Sequence, residues 1–130
     1  MSQENVRLIR AMLDAWTDER EVDPATYFDP AVEFIAGRSD IEGVFYGHEG
    51  IRRFTKETHE NYDKYEPHLD LRDLGNHVLA WGYVRLRGVR GGVELEVPAG
   101  DVFDFRDGKI VRWQSYGSKD RALKAVEGAG

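Results

Sequence analysis

The chain has 130 residues, of which 41% are hydrophobic and 32% charged: one domain's length, with apolar matter enough for a core and charge enough for a solvated surface. Its formal net charge is −6 and its Lys and Arg are scattered, so the basic stripe of a nucleic-acid binder is missing and an anionic membrane surface would repel it. It has no cysteine, which excludes disulfides, thiolate metal sites and a Cys nucleophile.

The N-terminal stretch from Met1 to Met12 carries Glu4, Arg7 and Arg10 and lacks the apolar core of a signal peptide. No apolar run approaches the roughly 20 residues that span a bilayer. These features together with the missing cysteines point to a cytoplasmic protein. From Ser2 to Arg20, Val6, Ile9, Met12, Leu13 and Trp16 recur at helical spacing, which predicts an amphipathic helix. A shorter helix is expected at Asp23-Pro24, because Asp caps a helix and Pro is tolerated in its first turn. Ala31 to Ile35 reads as a short strand, Gly37 to Gly43 as a polar loop and Val44-Phe45-Tyr46 as another short strand. A third helix is expected from His48 to Asn61, with Ile51, Phe54 and Thr58 on one stripe that would reach Tyr62 and Tyr65 if the helix continued.

From Pro67 the hydrophobic period becomes two. Strands are expected at Pro67–Arg72, Val78–Arg87, Val93–Arg106 and Lys109–Tyr116, separated by turns at Gly75-Asn76, Gly91-Gly92 and Asp107-Gly108. Pro98 and Gly100 predict a bulge or bend in the third of these. A short closing helix is expected at Asp120–Val126. Helices gathered ahead of a meander pack on one side of it, so the fold class is α+β: a single domain, 1–130, in which a curved antiparallel sheet and helices on its concave side enclose one pocket.

The order of elements and two sequence words, Tyr46-Gly47-His48-Glu49-Gly50-Ile51-Arg52-Arg53-Phe54 and Asp107-Gly108-Lys109-Ile110-Val111, resemble the nuclear transport factor 2-like superfamily and, within it, the SnoaL-like group of polyketide cyclase-like and ketosteroid isomerase-like proteins. The resemblance covers nearly the whole chain. It implies a cone-shaped α+β fold, a pocket at the open end and frequent homodimers, but no single reaction, because the superfold hosts isomerases, cyclases, dehydratases, epoxide hydrolases and non-enzymes.

Strand alternation gives a separate view of the pocket. Trp81, Tyr83 and Arg85 share one strand face, Asp101, Phe103 and Phe105 another, and Val111, Trp113 and Ser115 a third. Assigning these faces to the concave side, with Trp16 meeting them from the first helix, predicts an aromatic pocket suited to a small apolar ligand. The ligand-contacting set is then Trp16, Tyr46, Trp81, Tyr83, Phe103, Trp113 and Ser115. The alternative is that these aromatics are simply core.

Asp101 is the first catalytic candidate. A carboxyl among aromatic side chains is costly to ionise, so its pKa is expected above the roughly 3.9 of a free Asp, and the protonated form could donate to a substrate oxygen or act as a general acid. The resemblance puts it where ketosteroid isomerases carry the aspartic acid of the oxyanion hole. It also puts Phe34 at their catalytic base, Met12 at their first-helix tyrosine, and Tyr83, Trp81 and Ser115 at the Asp-Arg-Asp set of limonene epoxide hydrolases, so neither of those residue sets is available here. His59 is the second candidate. It shares a helix face with Thr55 and, facing inward, could serve as a base; the alternative is an exposed histidine beside Glu60. His68 and Asp70 share a strand face but lack a third metal ligand.

The expected function is a pocket protein for a small hydrophobic ligand, capable of isomerising, cyclising or dehydrating a carbonyl compound by proton transfer. It would need no cofactor or metal and would form a homodimer through the outer sheet face around Val84, Leu86 and Val102. The alternatives are a non-catalytic ligand-binding module and a dimerisation domain whose cavity is closed by its own side chains.

Overall fold

The computed structural model describes residues 2–18, 22–38, 41–89 and 91–129. Helix α1 (Ser2–Thr17) buries Ile9, Met12, Leu13 and Trp16, the stripe that its 3.6-residue period requires. In α2 (Pro24–Tyr27), the Asp23 carboxylate accepts a hydrogen bond from the Ala25 amide at 3.0 Å, and Pro24 occupies the first turn, where its missing N–H costs nothing. Strands β1 (Phe28–Arg38) and β2 (Ile41–Tyr46) follow, then α3 (Gly47–Asn61), β3 (Tyr62–Asp73), β4 (His77–Gly88), β5 (Glu94–Arg106), β6 (Lys109–Ser115) and α4 (Lys119–Ala129).

The six strands form one curved, unclosed sheet in the order β2-β1-β6-β5-β4-β3. Every neighbouring pair is antiparallel except β1–β6, which is parallel. The exception follows from connectivity. Tight turns can only make antiparallel neighbours, whereas β1 reaches β6 across the whole intervening chain. Most of the expected 37–43 loop is strand, although residues 39 and 40 lie outside the described residues. The helix α3 does not run on to Tyr65. Tyr62 is already extended, with φ −130° and ψ 130°, and β3 begins there. Pro67 has no N–H to offer the Asp63 carbonyl, so a longer helix would lose that bond, whereas pairing with β4 serves the β3 backbone.

The turn into α3 accounts for much of the first sequence word. Gly47 adopts φ +66°. The His48 ring Nε2 lies 2.8 Å from the Phe28 carbonyl and ties the helix start to β1. A Cβ on Gly50 would stand 2.8 Å from the Phe45 carbonyl carbon, so a glycine lets α3 lie directly on β2.

The sheet has two covered faces. The inner face meets α1 and α3, and its core contains Phe28, Val32, Phe34, Val78, Ala80, Phe103, Ile110 and Trp113. Helix α4 packs on the opposite face, where Ala122 meets Leu79 and Val102. The expectation of helices on one side therefore holds for α1 and α3 and not for α4. Gly100 makes this second cover possible. A Cβ there would lie 1.9 Å from the Ser118 carbonyl oxygen, so the chain entering α4 rests directly on the β5 backbone. The expected bulge at Pro98–Gly100 is absent, since β4–β5 pairing runs unbroken from His77↔Asp104 to Arg87↔Glu94. The irregularity in β5 instead faces β6, between Asp104 and Phe105.

Candidate functional site

Trp113 is the hub of the inner face. Its ring stacks on Phe34 with centroids 3.9 Å apart, on Phe103 at 5.2 Å and on Trp16 at 5.6 Å, and meets Phe54 edge-on at 5.8 Å. Such ring pairs add about 0.5–1.5 kcal/mol each beyond the area they bury. At one end of this cluster lies a cavity of about 30 Å³, walled by Phe34, Phe54, Tyr65, Val84, Ala99 and Trp113 among others, with Asp101 and Ser115 as its polar members. The volume admits a water or two. Pockets that hold drug-sized ligands measure roughly 300–1,000 Å³, so a ligand of that size requires the walls to move.

Asp101 is 9% exposed. Its Oδ2 accepts a hydrogen bond from Trp113 Nε1 at 2.9 Å. Its cross-strand partners are Ala80 on β4 and Ser115 on β6, so a small residue and a hydroxyl flank it. A carboxyl here pays the desolvation cost of an apolar surround, and the Trp113 N–H is among the groups that oppose it.

Two further hollows continue outward from the cavity. A neck of about 10 Å³ is lined by Trp16, Phe54, Thr55, Thr58, His59 and Tyr65. A wider mouth of about 240 Å³ lies between Trp16, Thr17, His59, Tyr62, Tyr65 and the charged Asp63, Lys64, Glu66 and Arg87. Tyr65 lines all three spaces. Thr55 and Thr58 both donate to helix carbonyls, to Ile51 at 3.0 Å and to Phe54 at 2.8 Å. The indole nitrogen of Trp16 is buried and has no hydrogen-bond acceptor among the described residues. A donor left in that condition costs about 1–3 kcal/mol, and buried donors without a partner are rare enough to need a reason.

The charged side chains Asp63, Lys64, Glu66 and Arg87 at the mouth each have a partner. Lys64 Nζ lies 3.0 Å from Glu94, and Arg87 Nε lies 2.7 Å from Asp63. The hydrogen bond from His68 holds the Glu66 carboxyl below the usual carboxylate range, and Lys64 does the same for Glu94. The pairing to Glu96 raises Arg85, and that to Asp63 raises Arg87.

The structure gathers part of the residue set expected from sequence. Asp101, Trp113 and Ser115 line the inner cavity, and Trp16 and His59 line the neck and mouth. His59 is exposed at the rim, on the far side of Phe54 and Tyr65 from the Asp101 cavity. Phe103 is fully buried core beneath Trp113. Tyr46, at 65% exposure, lies at the end of β2 outside these hollows.

The concave-face assignment of Trp81, Tyr83 and Arg85 is corrected: β4 presents its small residues inward. Ala80 belongs to the inner core and Val84 to the cavity wall, while Trp81 packs with Leu79 and Val102 on the α4 side. There the Lys119 ammonium lies 4.6 Å and the Arg72 guanidinium 5.2 Å from the Trp81 ring centroid. Tyr83 stacks on His68 at 4.8 Å, with the Arg85 guanidinium 5.8 Å away. The inner face is already filled by rings from β1, β5, β6, α1 and α3, so β4 has room only for small side chains. Val111 leaves the inner face for a similar reason. The β5–β6 register shift pairs Phe105 with Ile110, and Ile110 takes the core position. The expected dimer face does not exist as one surface either: Val84 and Leu86 share the inner side of β4, and Val102 lies beneath α4.

Tyr65, Val97 and Ala99 were missed as site residues. Unbroken alternation back from Asp101 through Pro98 would have found Val97 and Ala99. Tyr65 required knowing that α3 stops at Asn61.

A further hollow of about 70 Å³ lies on the outer face between β5, β6 and α4, and is lined by His77, Asp104, Arg112, Gln114 and Tyr116 among others. His77 Nδ1 is 2.6 Å from Asp104, and Arg112 lies 3.7 Å from Glu33, so this groove satisfies its own charges.

A curved, unclosed sheet whose inner face is covered by helices is the architecture of the nuclear transport factor 2-like class. The chain belongs to the SnoaL-like domain family, whose sequence model matches residues 9–113. A search of curated proteins finds no match. Among solved structures, TerC co-crystallized with polyporic acid is similar over 95% of this chain and 98% of its own, with a TM-score of 0.77 and 18% identity. A nuclear transport factor 2-like protein of unknown function from Burkholderia pseudomallei K96243 is similar over 93% and 95% (TM-score 0.76, 16% identity). A protein with a ketosteroid isomerase-like fold from Catenulispora acidiphila DSM 44928, in complex with trimethylamine, is similar over 89% and 88% (TM-score 0.72, 18% identity). At these identities the likeness is one of fold. No helix among the described residues is long and apolar enough to cross a membrane.

Proposed function

We propose that the chain takes up a small, mostly apolar carbonyl compound in the inner cavity, with protonated Asp101 donating a hydrogen bond to its oxygen. The observation that carries this reading is a nearly buried carboxyl among Phe34, Phe54, Val84, Ala99 and Trp113. In such surroundings the neutral acid costs less than the carboxylate, and a neutral acid is a strong donor to a developing oxyanion. Proton-transfer isomerisation, cyclisation or dehydration is the chemistry that such a group supports. His59 would act as base only toward a part of the ligand that extends through the neck. Trp16, Trp113 and Ser115 contribute walls and a hydroxyl. The same reading keeps the protein cytoplasmic and homodimeric, without cofactor or metal, and without nucleic-acid or membrane partners.

Two observations favour the second reading, binding without chemistry or a domain closed for dimerisation. The cavity measures about 30 Å³, and the strand position that resembles the ketosteroid isomerase base is Phe34.

The deciding experiment is a thermal-shift screen of small aromatic and alicyclic ketones against wild type, Asp101→Ala and Asp101→Asn. A ligand at 100 times its Kd stabilises by about 2.7 kcal/mol, so a hit is readable without knowing the reaction. Asp101→Ala is expected to weaken a hit about tenfold, the loss of one good hydrogen bond. Asp101→Asn, which still donates, retains binding and loses any turnover. A hit indifferent to Asp101→Ala sinks the assignment. A panel with no hit, and a dimer by gel filtration, favours the closed domain.

A further inference from the structure

The second buried polar group of this site is the Trp16 indole. Its N–H is enclosed and has no acceptor among the described residues. The ring lines both the neck and the mouth. It also stacks on Trp113, the residue whose own N–H holds Asp101. Two buried polar groups, Asp101 and the Trp16 N–H, therefore flank one aromatic hub, separated by the Phe54 and Tyr65 side chains that wall both the cavity and the neck. Thr55 and Thr58, which also line the neck, already donate to helix carbonyls, whereas the indole N–H does not.

We propose that the Trp16 indole N–H is a second polar anchor of the site, and that the ligand class is a single-ring or fused-ring compound with two oxygen acceptors on different sides of the ring, one facing Asp101 and one facing Trp16. The proposal rests on the ligand-binding reading of the Asp101 cavity. Tyr65, which borders every part of the channel, swings aside to join cavity and neck when such a ring enters. The neck as it stands, about 10 Å³, is at the lower limit for a single water. A compound with one oxygen satisfies Asp101 and leaves the indole unpaired. A compound with two satisfies both, and the difference is selectivity.

The test uses acetophenone, with one carbonyl, and 1,3- and 1,4-diacetylbenzene, with two. The chain has three tryptophans, so an ¹⁵N-indole spectrum carries three side-chain N–H signals, and Trp16→Phe identifies one of them by its loss. The better diacetylbenzene is expected to bind wild type about tenfold tighter than acetophenone, as one added hydrogen bond predicts. It is also expected to move the Trp16 indole proton downfield, which acetophenone does not. Trp16→Phe should bring the two ketones within about twofold of each other. If Trp16→Phe folds poorly, the wild-type indole shift still decides. A Trp16 signal that responds to neither diketone, or a diketone preference that survives Trp16→Phe, overturns this proposal alone, provided acetophenone binding still depends on Asp101. If no ketone binds wild type at all, the reading of the cavity falls with it.

Discussion

On the inner face of the sheet Trp113 stands among Phe34, Phe103, Trp16 and Phe54, and its only polar atom is bonded to a buried carboxyl. On the outer face Trp81 lies by the Lys119 ammonium of α4 and the Arg72 guanidinium of β3, and Tyr83 stacks on His68 with Arg85 nearby. Both faces carry large aromatic residues, yet only the inner one sets them around a buried carboxyl. Side-chain size is therefore a poor guide to which face a strand turns toward the pocket. What matters is the cover: a face roofed by two helices and crowded by five neighbouring elements admits small residues from β4, whereas a face roofed by one short helix leaves room for rings capped by Lys and Arg. Cations on those rings offer solvated edges and modest attraction, about 0.5–1 kcal/mol each at exposed sites.

The contrast can be tested in order of expected effect. Trp113→Ala should cost about 3–5 kcal/mol in denaturant unfolding, as for other buried tryptophans, because every ring around it loses a partner. Trp81→Ala, with an edge in solvent, should cost about 1–2 kcal/mol, since part of its area is never removed from water. Equal losses would erase the distinction between the faces. Gly100→Ala is expected to cost about 1–3 kcal/mol, because its Cβ meets the Ser118 carbonyl at 1.9 Å and α4 must lift. Its damage should appear as faster hydrogen exchange in α4 and around Trp81, with the Trp113 cluster protected. An even spread of exchange across both faces would mean that α4 and the inner core do not behave as separable covers.

The smallest effect is electrostatic. Glu66 is held below its usual value by the hydrogen bond with His68. A depressed carboxylate stabilises the fold above its unfolded value, about 4.3, and that contribution fades as pH falls through the lower folded value. Glu66→Gln should therefore change stability by under about 0.5 kcal/mol at pH 7 and flatten the stability–pH curve only below about pH 4.3. A flattening centred well above that pH would sink the assignment to Glu66.

Much of the fold was legible in the residues. Ile9, Met12, Leu13 and Trp16 announced α1, Asp23-Pro24 announced the start of α2, and Gly91-Gly92 and Asp107-Gly108 announced the hairpins. All of these are local signals, fixed by helical period, capping or positive φ, and no distant contact can easily override them. The family words carried the rest of the architecture, and Asp101 was recognisable as the odd carboxyl on an apolar face because alternation along β5 stayed in phase from Asp101 to Phe105.

What the sequence by itself determined was therefore the set of elements, their hairpin connections, the family, and a carboxyl with aromatic neighbours. Only the tertiary structure decided which face of β4 looks inward, that β3 begins at Tyr62 and places Tyr65 on the channel wall, that β1 pairs parallel with β6, and that α4 roofs the other side. The physical reason is the same in each case. Local periodicity fixes which residues share a face, but a strand's two faces are interchangeable until other elements fill one of them, and that filling depends on contacts between residues far apart in the chain.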